Sequence, residues 1–321
     1  MGTGSIGTRH LKILRGLGSV TPVAVPKRRE RLAQLAEEGY DTAASLDEAM
    51  DKGITLGIVA SETGLHVADG SACIQRGLDI LVEKPLAVSA AQAGDLSHRG
   101  QAANRKIFVG CVMRFSESLN TFREYLPKVG RVHNVRIECQ SYLPDWRPGR
   151  PYLDSYAVRP EEGGVLLELI HEVDYACWIF GWPDAVQGRL KNTGSLGIAP
   201  EEVAELSWET PAAGVLSVYL DFLSRPPRRR MRACGEGGTI EWDGIAGTTT
   251  LWVDNLPAEV VQSTQDRDGM FTTQARAFLD AAGGNRDPRL ATGEDGVKTL
   301  AVCDAARQGS ESREEAKVTY P

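Results

Sequence analysis

A lysine and a histidine stand where side chains could exchange protons with a bound molecule. Lys84 lies in Glu83-Lys84-Pro85, directly after an apolar run over 78–82 that predicts a buried strand. Open α/β sheets bind ligands at the carboxyl ends of their strands, where an ammonium could polarise a carbonyl or carbinol oxygen. His171 lies in an apolar segment that predicts one helix over 162–180. Each also has a simpler interpretation, a surface strand end for Lys84 and a buried core position for His171.

Acidic residues accompany the histidine at helical spacing. Glu168, His171, Asp174 and Trp178 follow one another at intervals of three, three and four residues. Such intervals place side chains on one face of a continuous helix. A carboxylate beside the imidazole could orient it and raise its pKa, which suits a general acid/base.

Three glycines at the start of the sequence predict a dinucleotide-binding turn. Gly2, Gly4 and Gly7 have the G-x-G-x-x-G spacing. The first glycine permits a tight turn, the second lets the backbone approach a pyrophosphate, and the third lets the following helix pack closely. Such a turn normally follows a buried strand, and here it follows Met1. We therefore expect a short hydrophobic strand upstream of Met1 in the natural chain.

Basic residues follow the next predicted strand, Val20 to Val25. This position often carries an acidic residue that holds the ribose 2′-hydroxyl of NAD, but here the chain continues as Pro26, Lys27, Arg28 and Arg29. Cationic side chains at this position would suit the 2′-phosphate of NADP. The alternative is a solvated, basic helix start.

Strands and helices alternate through the first third of the chain. Helices are predicted near 6–17, 29–38 and 65–76, with apolar strands at 54–60, 78–82 and 107–110 between and after them. This alternation is typical of a doubly wound parallel sheet, so residues 1–113 predict an α/β Rossmann domain that lacks its first strand. In that strand order the missing strand would lie in the middle of the sheet.

The remainder, residues 114–321, predicts an α+β domain with a large open antiparallel sheet. Period-2 patterns cover 134–142 and 185–253, and helices return at 272–282 and 294–308. Alternating apolar residues in 204–208 and 215–220 predict a sheet face that a monomer would leave open. We expect a homodimer or homotetramer to form through this face.

Composition excludes several classes of protein. The 321 residues carry a formal net charge of −7, which argues against nucleic acid as the main partner. Six scattered cysteines, with no metal-ligand spacing, favour reduced thiols in a cytoplasmic protein and no bound metal. No stretch approaches the roughly 20 apolar residues of a membrane span.

These motifs together resemble the Gfo/Idh/MocA oxidoreductases, the relatives of glucose–fructose oxidoreductase and inositol dehydrogenase. The resemblance rests on the glycine-rich turn, the segment 60–67, Glu83-Lys84-Pro85, Gly163-Gly164 followed by His171 and Asp174, and the later helix start at 294–296. It covers nearly the whole chain. The stretch 142–149 resembles a subgroup often associated with bacterial surface-sugar or nucleotide-sugar metabolism.

The resemblance implies roles for individual residues. Lys84 matches the catalytic lysine of the family, and His171 matches the histidine that exchanges a proton with the reacting hydroxyl. Many members carry an aspartate four residues before this histidine, whereas here that position is Leu167 and the acid is Glu168. The catalytic candidates are therefore Lys84, His171, Glu168 and Asp174.

The motifs and the resemblance also indicate binding residues. The predicted cofactor-binding residues are Gly2, Thr3, Gly4, Ser5, Ile6, Gly7, Lys27, Arg28, Arg29, Ala60, Ser61, Thr63, His66, Glu83 and Lys84. Aromatic faces stack on sugars and guanidinium groups bind carboxylate or phosphate, which suggests a second set for the substrate. That set is Arg114, Tyr142, Trp146, Arg147, Tyr152 and Tyr156. For Trp146, a purely structural role in an irregular loop is the equal alternative.

The expected function is hydride transfer between NADP, or NAD, and a secondary hydroxyl or ketone of a sugar, cyclitol or nucleotide sugar. One alternative is a glycosidase or lyase that retains NAD and oxidises its sugar only transiently, as some relatives do. Another is a non-catalytic sensor that binds NADP(H) without turnover.

Overall fold

The protein divides into two compact units. The computed structural model describes residues 1–147, 149–253 and 256–320. The first unit combines residues 1–87, 91–115 and 266–297, and the second combines 88–90, 116–265 and the chain from Lys298 onward. The break near residue 115 lies close to the predicted boundary at 113. Residues 266–297, however, belong to the first unit, because their helix packs on the helix that begins the chain.

The bounds of the regular elements follow the chain. The helices are α1 Ser5–Leu17, α2 Arg29–Glu37, α3 Leu46–Asp51, α4 His66–Gln75, α5 Ala90–Ala102, α6 Glu117–Tyr125, α7 Val165–Glu168, α8 His171–Phe180, α9 Arg267–Ala282 and α10 Gly293–Ser312. The strands are β1 Val23–Ala24, β2 Asp41–Thr42, β3 Leu56–Val59, β4 Asp79–Val82, β5 Ile107–Val109, β6 Val132–Gln140, β7 Ala185–Lys191, β8 Val203–Thr210, β9 Gly214–Asp221, β10 Arg228–Gly235, β11 Gly238–Asp243, β12 Thr248–Val253, β13 Glu259–Gln262 and β14 Ala316–Lys317.

Parallel strands alternate with helices in the first unit, which confirms the predicted Rossmann fold. The strands form two separate ladders, β1 with β2 and the order β3-β4-β5, and all pairs are parallel. Two helices of this unit begin with a side-chain cap. The Ser45 hydroxyl accepts a hydrogen bond from the Glu48 amide at 3.1 Å, and the Thr292 hydroxyl accepts one from the Asp295 amide at 3.2 Å.

A groove lies between the two ladders of this unit, where the sequence predicts a missing strand. It is a cavity of about 410 Å³, and its walls include Val23 and Ala24 of β1 and Leu56 to Ile58 of β3. Met1 lies at one end. Its nitrogen donates to the Ile58 carbonyl at 2.5 Å, and its carbonyl accepts from the Ala60 amide at 2.8 Å. These two bonds place Met1 opposite Val59 in the register of a parallel ladder.

A nine-stranded sheet dominates the second unit. Its order is β13-β12-β11-β10-β6-β9-β8-β7-β14. All neighbours are antiparallel except β6 and β9, which run parallel, so the predicted large antiparallel sheet is confirmed and contains one parallel pair. Parallel neighbours need a crossover connection. The chain provides one here, because helices α7 and α8 and strands β7 and β8 lie between β6 and β9 in sequence.

The apolar face expected to remain open is covered by the unit itself. Ala204, Leu206 and Trp208 of β8 are at most 3% exposed. Helix α7 packs against β8 and β9 on this side. The opposite face of the sheet carries ion pairs such as Arg230–Asp243 and Arg232–Glu241. The apolar argument for assembly through this sheet is therefore wrong.

The single helix predicted over 162–180 is two helices. Gly164, with φ +98°, precedes α7, and a Cβ there would collide with the Glu201 carboxylate, so the helix begins at Val165 rather than at Glu162. Helix α7 ends at Glu168, and α8 begins at His171. Leu169, with ψ +30°, departs from helical geometry between them.

Candidate active site

The glycine-rich turn has the geometry that a dinucleotide requires. Gly2 has φ +79°, and a Cβ on it would collide with the Ser61 backbone nitrogen. A Cβ on Gly7 would collide with the Gly2 carbonyl oxygen, so α1 can pack this closely only on a glycine. A Cβ on Gly4, by contrast, would meet nothing within 4 Å. Gly4 also precedes the first residue of α1, with no side-chain cap, which leaves room for a phosphate at the helix N-terminus.

The other residues of the turn have different surroundings. The Thr3 carbonyl accepts a hydrogen bond from the Thr8 hydroxyl at 3.2 Å. Ser5 is exposed as the first residue of α1, whereas Ile6 packs against the apolar cluster that contains Ile13 and Phe271. Ser5 thus lies on the solvent side of the turn, and Ile6 anchors it to the core.

The basic residues after β1 differ in their partners. The Lys27 ammonium lies 3.3 Å from Asp69, whereas Arg28 and Arg29 are exposed. Arg31, which the sequence analysis missed, donates to the Thr8 hydroxyl at 2.9 Å and links α2 to α1. Because Asp69 offsets the charge of Lys27, Arg28 and Arg29 are the stronger candidates for a 2′-phosphate.

His66 connects two of the predicted cofactor-binding segments. It is 1% exposed, with Nδ1 2.8 Å from the Pro85 carbonyl and Nε2 3.1 Å from the Ser61 carbonyl. Burial lowers the pKa of His66 and favours its neutral form. Nearby, Thr63 is 3% exposed in a short 3₁₀ turn, and the Ala60 amide bonds to Met1.

Lys84 follows β4 beside a buried carboxylate. Lys84 is half-buried, whereas Glu83 is 8% exposed. His10 of α1 is 3% exposed, and its Nε2 lies 2.7 Å from Glu83 Oε1. Burial acts to raise the pKa of Glu83, but the hydrogen bond with His10 and the positive charge of Lys84 outweigh it, so the pKa of Glu83 lies below its ordinary value. No sequence pattern indicates a role for His10, although it lies one turn into α1, three residues after Gly7.

In the second unit, His171 and its acidic neighbours lie on two helices. His171 is the first residue of α8 and is partly exposed, and Asp174 follows three residues later, 1% exposed. Glu168 is the last residue of α7, so the prediction that it shares one helix face with His171 is wrong. The helix break at Leu169 interrupts the spacing on which that prediction rested.

A buried ion pair anchors the start of α8. Glu172, next to His171, is 0% exposed, and its Oε1 lies 2.7 Å from the Arg229 Nε. The arginines at 228–230 do not form a sheet edge, because β10 lies between β6 and β11. Residues alternate across a strand, so Arg228 and Arg230 face their outer partners Glu138 and Asp243 while Arg229 points to α8.

Several predicted substrate residues make structural contacts. The Trp146 indole donates to Ser141 Oγ at 2.8 Å and lies edge-on to Phe222, which favours the structural alternative. The Tyr152 hydroxyl donates to the Leu196 carbonyl at 2.9 Å, and the Arg225 guanidinium lies 3.3 Å from the ring centre of Tyr142.

The other residues of this set vary in exposure. Arg147 is exposed, and Tyr156 is half-buried at the start of a 3₁₀ turn. Pro148 of the same motif lies outside the described residues. Arg114 belongs to the first unit and is 2% exposed, with its guanidinium 3.5 Å from Asp295. Arg114 thus holds the start of α10, and so buried a side chain presents little surface to a substrate.

In residues 1–147, 149–253 and 256–320, no group of three or more metal-binding side chains comes together. Over the same ranges, no helix combines the length and apolarity that crossing a membrane requires.

Comparison with known proteins agrees with the fold and motifs. Residues 1–111 match the oxidoreductase family GFO_IDH_MocA, described by its NAD-binding Rossmann fold, and residues 127–241 match the GFO/IDH/MocA C-terminal domain. Myo-inositol 2-dehydrogenase of Thermotoga maritima is 24% identical over 343 residues, covering 99% of this chain and 97% of the relative.

Two solved structures have the same fold over nearly their whole length. Levoglucosan dehydrogenase in complex with NADH aligns with a TM-score of 0.89 at 16% identity, covering 100% of this chain and 98% of the other. The WlbA dehydrogenase from Bordetella pertussis, in complex with NADH and UDP-GlcNAcA, aligns at 0.83 and 19% identity, covering 100% and 96%. These likenesses confirm the predicted two-part architecture.

Proposed function

Because the chain belongs to the Gfo/Idh/MocA oxidoreductase family, with its NAD-binding Rossmann fold, we propose that it is an NAD(P)-dependent dehydrogenase of sugars, cyclitols or nucleotide sugars. The observation that carries the proposal is Lys84, half-buried at the carboxyl end of β4 in the unit that holds the glycine-rich turn. The carboxyl end of a parallel strand is where such sheets perform their chemistry.

The cofactor is proposed to be NADP, with NAD as the alternative. The tight turn at Gly2 and Gly7 and the open approach at Gly4 fit a pyrophosphate. Arg28 and Arg29 would hold the 2′-phosphate, since a guanidinium can form two hydrogen bonds to phosphate oxygens. When bound, the nicotinamide ring accepts a hydride from the substrate carbon or returns one to it.

Lys84 and His171 are proposed to handle the oxygen and the proton of the reaction. In the oxidative direction the hydroxyl proton passes to the His171 imidazole, and the carbon–hydrogen bond breaks as the carbonyl forms. The Lys84 ammonium stabilises negative charge that develops on the oxygen. Asp174, one turn after His171 in α8, would orient the imidazole and balance its charge when protonated. Glu168, the last residue of α7, would provide a further carboxylate for proton transfer.

The substrate is proposed to be a sugar-like molecule. The relatives named above include a cyclitol dehydrogenase and a levoglucosan dehydrogenase, and one structure contains a nucleotide sugar. Exposed Arg147 and half-buried Tyr156 are the best remaining candidates to contact it, with Tyr142 and Tyr152 lining the same irregular segment. Cytoplasmic location and a homo-oligomeric state stay predictions, and light scattering of the purified protein tests the latter.

The proposal is tested with myo-inositol, levoglucosan and UDP-GlcNAcA, each supplied with NAD⁺ or NADP⁺. Nicotinamide absorbance reports turnover. Lys84→Ala and His171→Ala are each expected to lower kcat by about 10²–10⁴-fold, the usual contribution of acid/base groups. His133→Ala, which changes an exposed histidine on β6, serves as the control and should behave as the parent.

Parental rates in both variants would refute the roles of Lys84 and His171. Conversion of a sugar with bound NAD retained and no net absorbance change would instead support the glycosidase or lyase that oxidises its sugar only transiently. Cofactor binding without turnover of any of the three substrates would favour the sensor.

A further inference from the structure

The buried contact between His10 and Glu83 joins the helix of the glycine-rich turn to the segment that carries Lys84. His10 lies on α1, the helix that begins at the glycine-rich turn, and Glu83 immediately precedes Lys84. The distance of 2.7 Å between Nε2 and Oε1 is that of a charge-assisted hydrogen bond. The His10 and Glu83 side chains are only 4% and 10% exposed, so water competes little for this bond.

The surroundings accommodate the carboxylate specifically. A Cβ on Gly110, which follows β5, would lie 3.0 Å from the Glu83 carboxyl atoms, so only a glycine leaves them ordinary space. The second oxygen, Oε2, accepts a hydrogen bond from the Lys84 backbone amide at 3.3 Å. The carboxylate thus connects the His10 ring to the main chain of the lysine.

The chemistry of the imidazole fits this arrangement. Nδ1 of His10 is buried and has no hydrogen-bond partner in the described part of the chain, and the ring lies edge-on to Phe271 at 5.5 Å between ring centres. A proton on Nδ1 would therefore find no acceptor. A proton on Nε2 finds the Glu83 carboxylate, which makes Nε2–H the favoured tautomer.

A second buried histidine holds the other side of the lysine. His66 of α4 contacts the Pro85 carbonyl at 2.8 Å. The residues before and after Lys84 are consequently each held by a histidine from a different helix. The side chain of Lys84 projects from a backbone that is fixed on both sides.

We propose that His10 is a positioning residue for Lys84, holding the lysine-bearing backbone through its Nε2–H bond to Glu83. This inference rests on the proposed function, in which Lys84 stabilises the reacting oxygen. It extends that function by coupling α1, which carries the dinucleotide turn, to the position of the lysine. A displacement of about 1 Å in a catalytic group can lower a rate by roughly 10²-fold.

The test compares three substitutions at His10. His10→Gln keeps an N–H donor near the position of Nε2, His10→Asn keeps an amide that is too short to reach Glu83, and His10→Leu removes the donor. His10→Leu and His10→Asn should lower kcat by roughly 10²-fold while the cofactor Kd changes less than about threefold. His10→Gln should recover most of the parental kcat. Phe271→Leu, which disturbs the same packing without touching Glu83, should leave kcat near the parental value.

Nitrogen-15 NMR of histidine-labelled protein without cofactor supplies a readout independent of activity. His10 should show the Nε2–H tautomer in the parent and lose its Nε2–H···carboxylate shift in Glu83→Gln. An Nδ1–H tautomer in the parent would overturn the proposal.

The outcomes distinguish a failure of this inference from a failure of the proposed function. If Lys84→Ala keeps the parental kcat, the catalytic role proposed for Lys84 fails, and with it the function on which this inference rests. If Lys84→Ala is inactive but His10→Leu and His10→Asn keep the parental kcat, only the positioning role of His10 fails. If Phe271→Leu lowers kcat as much as His10→Leu does, and His10→Gln does not recover kcat, the role is likewise refuted and His10 acts only through its packing. Should His10→Leu not fold, the comparison of His10→Gln with His10→Asn decides.

Discussion

Removing the guanidinium of Arg229 should destabilise the second unit strongly. Its partner Glu172 is 0% exposed and lies 2.7 Å away, whereas the Arg229 side chain is 24% exposed. Arg229→Met would therefore leave a carboxylate fully buried without its cation, a change that typically costs about 3–5 kcal/mol of the free energy of unfolding. Glu172→Met should cost less, since the guanidinium that remains can turn towards water.

The double variant Arg229→Met/Glu172→Met distinguishes an electrostatic cause from lost packing. Replacing both charges with apolar side chains of similar length is expected to bring stability back to within about 1–2 kcal/mol of the parent. The two substitutions should thus be strongly non-additive, as expected for residues in direct contact.

Urea unfolding followed by tryptophan fluorescence measures this effect in the relevant part of the molecule. All six tryptophans belong to the second unit, and Trp242, which is 0% exposed, lies edge-on to Tyr175 of α8. The signal therefore reports unfolding around the ion pair rather than of the first unit. A loss below about 1 kcal/mol in Arg229→Met, or a double variant as unstable as the sum of the single ones, would refute the reasoning.

Three further predictions concern the first unit. An N-terminal extension of five apolar residues should occupy the groove between β1 and β3, raise Tm by roughly 5 °C or more and strengthen cofactor binding. The reason is that the free energy gained by burying the apolar side chains exceeds the conformational entropy lost by the five residues by about 2 kcal/mol. A Gly/Ser extension of equal length is the control, and equal Tm values would contradict this. Arg28→Ala should weaken NADP binding, measured by calorimetry, by about 10-fold or more and leave NAD binding nearly unchanged. An equal loss of affinity for both cofactors would show that Arg28 does not contact the 2′-phosphate. The lowered pKa of His66 means that the folded state binds fewer protons than the unfolded state, so stability should be full above the ordinary pKa of 6.5 and fall as pH decreases below it. Urea unfolding followed by circular dichroism between about pH 8 and pH 5 measures this fall in stability. The fall should be smaller in His66→Gln, and a pH profile identical to that of the parent would contradict the assignment of the fall to His66.

Local features of the molecule could be predicted from the sequence. The glycine-rich turn, the alternation of strands and helices in the first unit and the caps at Ser45 and Thr292 depend on residues a few positions apart. Their spacing is visible in the chain, because the same spacing produces the hydrogen bonds and the apolar faces. For the same reason, Lys84 could be predicted to follow a buried strand and His171 to lie on a helix.

Other features depend on partners far apart in sequence. His10 and Glu83 are separated by 73 residues, and Glu172 and Arg229 by 57. No local pattern indicates that a histidine on α1 meets a particular carboxylate, or that the middle arginine of 228–230 is the buried one. The start of α7 likewise depends on a distant residue, because a Cβ on Gly164 would collide with the Glu201 carboxylate.

The sequence by itself thus determined which residues could perform the chemistry and the type of element that carries most of them. The tertiary structure decided how those residues are held: the pair of histidines around Lys84, the separation of Glu168 from His171 and the parallel pairing of β6 with β9. The physical reason is that apolar periodicity and capping act over a few residues. The burial of a charge and its compensation, by contrast, depend on which distant segment supplies the partner.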